Sequence, residues 1–260
     1  MPMLVGMTTV GEAPLGGWTP VVPLSGLHAR VLDRIGLAIC NGEPPAGSLL
    51  YIDDLAERYA VSRSVVREAL RVLSSMGMVA SRRRVGTLIL APSEWNLFDP
   101  QVIRWRMATQ GRKGQLRSLT ELRTAVEPQA ALYAAQRATP EAASRLVGLA
   151  ANMWAAGQSG DQAEFLRLDI EFHHVVLETS GNDMLLKLHK LVAEVLAGRH
   201  HYGLMPHHPH EDALQLHADV AHAIQHKDGE RARTAMLQIM EQALLEMSSI
   251  WANQDETSPA

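Results

Sequence analysis

Between residues 61 and 77 the apolar positions recur with the spacing of one helix face. Val65, Val66, Ala69, Leu70, Leu73 and Met76 share that face, while Arg63, Ser64, Arg67 and Arg71 share the opposite one. This pattern predicts an amphipathic helix packed on a small core. Ser62 is placed to cap its first turn, and Gly77 to end it. Upstream, Ile52, Leu55, Ala56 and Tyr59 mark one side of a shorter helix over 52–59. The joint Ala60-Val61-Ser62 is as short as a helix-turn-helix requires. Downstream, residues 78–81 and 87–90 read as two short strands, with Arg82-Arg83-Arg84-Val85-Gly86 between them as a basic wing.

Past Leu90 the pattern changes. Ala91-Pro92-Ser93 breaks the strand, and Asp99-Pro100 has the cap and first-position proline of a helix start. A short helix is expected over 101–109, and from Leu116 onward only helical periodicity remains. Helices are expected over 116–137, 140–157, 161–179, 182–202, 211–226 and 229–251. Thr139-Pro140-Glu141 and Ser180-Gly181-Asn182 are breaks between them. The fold class is mostly α: an N-terminal winged helix-turn-helix over 27–91, then an all-α bundle over 116–252. A linker over 92–115 joins them, with a flexible arm at 1–26 and a disordered tail at 253–260.

Charge sharpens the reading of the first unit. From Arg63 to Arg84 there are six Arg and one Glu, a local charge of +5, whereas the whole chain carries −4. A basic patch on an acidic protein is the footprint of a nucleic-acid contact. A solvated basic helix face is the plainer alternative. Arg side chains beside a hydroxyl-bearing cap can reach phosphates and guanine edges in a major groove. The single cysteine, Cys40, excludes an internal disulfide framework and suits a reducing cytoplasm. No Lys or Arg precedes Arg30, against a secretory signal, and no apolar run has the length of a membrane span.

The segments I-G-L-A-I-C-N-G-E-P-P-A-G-S-L-L, D-L-A-E-R-Y-A-V-S-R-S-V-V-R-E-A-L-R-V-L, G-M-V and R-V-G-T resemble the winged helix-turn-helix of the GntR family of bacterial transcription regulators. The resemblance implies DNA contacts at Ser62, Arg63, Ser64 and Arg67, and at a wing tip of Arg83, Arg84 and Gly86. The chain departs from the family at Leu50-Tyr51-Ile52-Asp53, where relatives carry a Pro and a polar cap. The bundle segments E-L-R-T-A-V-E-P-Q-A-A, R-A-T-P-E, D-I-E-F-H, S-G-N and H-A-D-V-A-H-A-I-Q-H-K-D are similar to the ligand-binding (FCD-type) domain of the FadR branch. The bridge W-N-L-F-D-P-Q-V-I-R-W is like that of members sensing sugar acids such as galactonate or gluconate.

Asp169 and His173, four residues apart, project from one helix side, where a carboxylate and an imidazole can share a divalent cation or simply hydrogen-bond. The resemblance adds His217 as a third ligand of zinc or a similar metal and puts the fourth at Ile239, which cannot ligate. Arg123 offers a planar fork for a carboxylate, and in relatives the matching Arg holds the effector's acid group. A surface salt bridge with Glu127 is its alternative. Asn182 caps the next helix or, by resemblance, lies near the pocket. The resemblance thus implies effector contacts at Arg123, Asp169, His173, Asn182 and His217. His200, His201, His207, His208 and His210 cluster around Pro206 and Pro209 as a solvated loop or a lid.

The resulting expectation is a homodimeric repressor, released from double-stranded operator DNA by a small carboxylic acid. A metal-dependent enzyme built on Asp169, His173 and His217 is the alternative. The chain has no H-E-x-x-H, no G-x-S-x-G and no phosphate loop, and catalysis leaves the basic head unexplained.

Overall fold

The structure, a computed structural model, describes residues 26–206 and 209–256, with side chains through Ser248. The expected arm, apart from Gly26, lies outside the described residues.

The first unit is built on three helices and a small sheet: α1 (Leu27–Cys40), β1 (Leu49–Leu50), α2 (Ile52–Arg58), α3 (Arg63–Ser75), β2 (Val79–Arg82) and β3 (Gly86–Ile89). Ser62 caps α3 as expected, its Oγ accepting from Val65 N, and Val66, Ala69, Leu70 and Leu73 are buried beneath it. Tyr51 takes the N-cap position of α2 without a side-chain bond, which is the structural result of the missing family cap. The sheet is antiparallel in the order β1-β3-β2, with Arg82 opposite Gly86. β1 was not anticipated, because two residues are too few to show a period. Gly77 has φ 72°, and a Cβ there would stand 2.3 Å from the Glu94 carbonyl oxygen, so no other residue fits.

The connecting segment contains the expected short helix. α4 (Pro100–Met107) is capped by Asp99, whose Oδ1 accepts from Gln101 N at 2.8 Å. Val102 and Trp105 lie in the core of the first unit, while Ile103 and Met107 lie in that of the bundle. The helix is a wedge common to both cores.

The bundle comprises α5 (Arg112–Arg137), α6 (Pro140–Ser159), α7 (Gln162–Thr179), α8 (Asp183–Leu186), α9 (His189–His201), α10 (Glu211–Gln225) and α11 (Gly229–Glu256). The single helix expected over 182–202 is interrupted at Lys187 and Leu188. There the His189 ring bonds the Leu186 carbonyl at 2.8 Å, a side-chain claim on backbone that competes with the helical ladder. α11 runs to Glu256, so residues 253–256 of the expected tail are helical. Every residue of α9 from Leu191 to Arg199 is buried, which marks it as the central helix.

Candidate functional site

Two surfaces carry chemistry. The first is the exposed face of α3 and the wing. Ser62, Arg63, Ser64, Arg67 and Arg71 all face solvent, as do Arg82, Arg83 and Arg84. Arg84 sits in the left-handed region at φ 62° at the tip of the hairpin. Gly86, expected as a DNA contact, has a backbone reason to be glycine: its φ is 137° and a Cβ would stand 3.2 Å from the Leu50 carbonyl. Arg63 is held by a residue the sequence did not single out. Its Nε lies 2.6 Å from Asp53 Oδ1 in the first turn of α2, with both side chains about two-thirds exposed.

The second surface is internal. A cavity of about 320 Å³ opens in the bundle, bounded by α5, α6, α7, α9, α10 and α11. Asp169, His173 and His217 are buried in its wall and offer one donor atom each, all within 4.8 Å of one another. His173 Nε2 and His217 Nε2 each lie 3.3 Å from Asp169 Oδ1. Asp169 Oδ1 and His217 Nε2 have no hydrogen-bond partner among the described residues. His217 Nδ1 lies 2.7 Å from the Ala213 carbonyl, which fixes the Nδ1–H tautomer and turns the Nε2 lone pair to the centre.

Glu127 completes this arrangement. Its Oε2 lies 2.5 Å from His173 Nδ1 and its Oε1 2.5 Å from Arg123 Nε, with all three side chains buried. The Arg123–Glu127 bridge considered as a surface feature is therefore formed, but inside the core. A His whose far nitrogen faces a carboxylate at close range is oriented as metal-binding histidines are. Orphaned donors around a small void, with one carboxylate and two imidazoles, suit a divalent cation with positions left for other oxygens. Burial opposes charge on His173, but the Glu127 carboxylate and then the nearby Asp169 carboxylate prevail and raise its pKa to about 9. Burial would raise the Glu127 carboxyl, but Arg123 and then His173 bring it down to about 2. Asp169 is likewise held low by the two histidines against its own burial. The two carboxylates thus favour a proton on His173 in metal-free protein.

Ile239 lines the same cavity beside Met240, so the family's fourth ligand position is an apolar wall. Asn182 is not among the cavity's lining residues. Its Oδ1 accepts from Met184 N at 3.0 Å, and the side chain is spent on capping α8. His200 and His201 line the cavity mouth from the last turn of α9, His210 precedes α10, and His207 and His208 lie outside the described residues. Sequence reasoning missed Arg199, which is 4% exposed and lines the cavity. Its signal was present: Glu194 and Arg199 are the only charges in the apolar run from Leu191 to Arg199. Each has a partner on another helix, Arg104 for Glu194 and Glu246 for Arg199.

A basic winged head on a ligand-sized cavity within a helical bundle defines an effector-gated DNA-binding regulator. The comparisons agree. Residues 27–89 match the family described as bacterial regulatory proteins of the gntR family, and residues 118–242 match the FCD domain. YieP of Escherichia coli K12, an HTH-type transcriptional regulator, is 30% identical over 201 residues, 77% of this chain and 86% of that one. The galactonate operon transcriptional repressor of the same organism is 29% identical over 212 residues, 80% and 91% respectively. The solved structure of E. coli McbR/YncC superposes at a TM-score of 0.51 with 20% identity, over 88% of this chain and all of that one, which supports the fold. The chain belongs to the GntR family, in its FCD-bearing FadR branch. Its relatives are transcriptional regulators, and the enzyme alternative falls away. No helix among the described residues is long and apolar enough to cross a membrane.

Proposed function

We propose that this protein is a cytoplasmic repressor that binds an inverted-repeat operator as a symmetric homodimer and is released by a small hydroxy acid of the sugar-acid class. Arg63, Ser64 and Arg67 would read the major groove from a helix start capped by Ser62, with Arg83 and Arg84 on flanking phosphates. Gly86 shapes the wing that carries them. In the cavity, Arg123 would take the carboxylate. Asp169, His173 and His217 would meet the hydroxyls, alone or around Zn²⁺ or a similar cation. The single observation that carries this reading is the burial of Arg123, Asp169, His173 and His217 around one void, in a domain separate from the basic face. The galactonate repressor among the relatives supports the choice of acid.

An acid that favours the DNA-incompetent arrangement of the heads must weaken operator binding, and DNA must weaken acid binding by the same factor. The test is a thermal-shift screen of sugar acids and related carboxylates with and without Zn²⁺, followed by operator titration with each hit. A hit raises the melting temperature and releases DNA. Analytical ultracentrifugation of the complex supplies the stoichiometry: a monomer bound tightly to a non-palindromic site would overturn the dimer.

A further inference from the structure

Arg199 occupies an unusual position. Its Nη2 donates to Glu246 Oε2 on α11 at 2.9 Å, and its Nε is buried with no hydrogen-bond partner among the described residues. A buried guanidinium N–H left open is costly unless a ligand satisfies it. The same is true of Arg123 Nη1, and the two side chains line one cavity. The next residue, His200, also leaves its Nε2 buried and unpartnered.

We infer that Arg199 is a second carboxylate-binding group of the cavity, and that it carries occupancy to the DNA-binding head, because α9 is clamped to α4. The inference rests on the effector reading above and deepens it. The ligand class is an acid whose carboxylate lies between two guanidiniums, Arg199 Nε–H and Arg123 Nη1–H, with its hydroxyls left for Asp169, His173 and His217. An oxygen so placed satisfies both orphaned donors with charge-assisted bonds. It also lies where the two like charges repel: burial first, and then Arg123 against the attraction of Glu246, make Arg199 easier to deprotonate than an ordinary arginine. Ile239 and Met240, on the facing α11, add no competing polar contact.

The route outward starts at the adjacent residue. Gly198 lets α4 approach so closely that a Cβ there would stand 2.7 Å from Met107 Sδ. One turn earlier, Glu194 grips Arg104 of α4 with both oxygens, at 2.7 and 3.3 Å. α4 in turn holds α1, since Trp105 Nε1 donates to Asp33 Oδ1 at 3.0 Å and Gln101 Nε2 to the same oxygen at 3.0 Å. A small shift of α9 toward a bound carboxylate therefore moves α4 and, through it, the base of the head. The two-state element is the α9–α4 contact.

The experiment measures acid binding and operator binding separately, in the full-length protein. The probes are galactonate, gluconate, lactate, tartrate and citrate, each with and without Zn²⁺, followed by calorimetry. Arg199→Gln should weaken the tightest-binding acid roughly 10- to 100-fold, the usual worth of a charge-assisted bond. Arg199→Lys keeps the charge and guards against misfolding, and should lose a similar factor because it cannot present the Nε–Nη edge. In ¹⁵N-arginine spectra the Arg199 Nε–H resonance should move on binding. Glu194→Gln should keep acid affinity within about twofold while shrinking the factor by which acid weakens operator binding. If no probe binds the wild type, the effector reading and this inference both fall. If an acid binds and releases DNA, but Arg199→Gln and Arg199→Lys bind it as wild type does and the resonance is still, the inference alone falls. If Glu194→Gln is released like wild type, the α9–α4 route is wrong.

Discussion

Trp105 of α4 covers Gly36 of α1 so closely that a Cβ at position 36 would stand 2.5 Å from the indole ring. The shared helix α4 is thus fixed to the head by an aromatic side chain seated on bare backbone. Gly36→Ala pushes against a ring held by its bond to Asp33, and the indole has no flexible end with which to yield. Such overpacking costs about 1–3 kcal/mol. Urea unfolding should show a loss in that range, and operator affinity should fall as the head is displaced. A variant that unfolds and binds like wild type would show that the contact is loose.

The recognition helix makes a sharper prediction because Arg63 already has a partner in Asp53. An exposed pair of this kind is worth little, about 0–1 kcal/mol, so DNA can take Arg63 from it. Arg63→Ala and Arg67→Ala should each cost about 1–3 kcal/mol of specific binding. Arg83→Ala should weaken specific and non-specific binding alike and lower the salt slope by about one. Asp53→Asn should tighten non-specific binding by removing a negative charge from the DNA face. Fluorescence anisotropy on operator and scrambled duplexes, across a salt series, checks all four.

The buried Glu127 changes what to expect of Arg123. Arg123→Ala would strand a carboxylate in the core, and breaking such a pair costs about 3–5 kcal/mol. Thermal melts should show that loss, so a failure of Arg123→Ala to respond to acid would prove little. Arg123→Lys keeps the charge beside Glu127 and loses the fork. It should stay folded, bind operator as wild type does, and resist release at acid concentrations that dissociate the wild-type complex.

The proton on His173 has a pH signature in EDTA-treated protein. Its folded pKa, raised to about 9, stands above the ordinary value near 6.5. Its contribution to stability is therefore fully present below about pH 6.5 and is lost as pH rises through about 9. Glu127 works the other way: lowered to about 2, it contributes above its ordinary range near 4.5 and is lost as pH falls through about 2. Urea midpoints should decline between pH 6.5 and 9, and His173→Gln should flatten that decline. A divalent cation needs the same Nε2 lone pair, so Zn²⁺ affinity should rise with pH over this window. A Zn²⁺ affinity that does not vary with pH would place the cation elsewhere.

What the sequence determined by itself is the part of the protein written in local rules. The stripe from Val65 to Met76, the Ser62 cap and the Asp99-Pro100 start are set by neighbours a few residues apart, and each element stands where its pattern put it. The pairing of Asp169 with His173 belongs here too, because a helix places positions four apart on one side. Tertiary structure decided everything that depends on which helices meet. The Arg123–Glu127 spacing was legible as a salt bridge, but only the packing of α5 on α7 buried it and aimed Glu127 at His173. Asn182 took the local one of its two readings, its Oδ1 accepting from Met184 N two residues on. Arg199 and Glu194 read as two charges in an apolar helix, with nothing along the chain to name their partners. Those partners, Glu246 and Arg104, stand 47 residues after one and 90 before the other. α4 read as a short helix within a linker, because eight residues cannot show that their two faces belong to different cores. Periodicity reports that a face is buried; what it is buried against depends on contacts distant in sequence, and those exist only once the chain has folded.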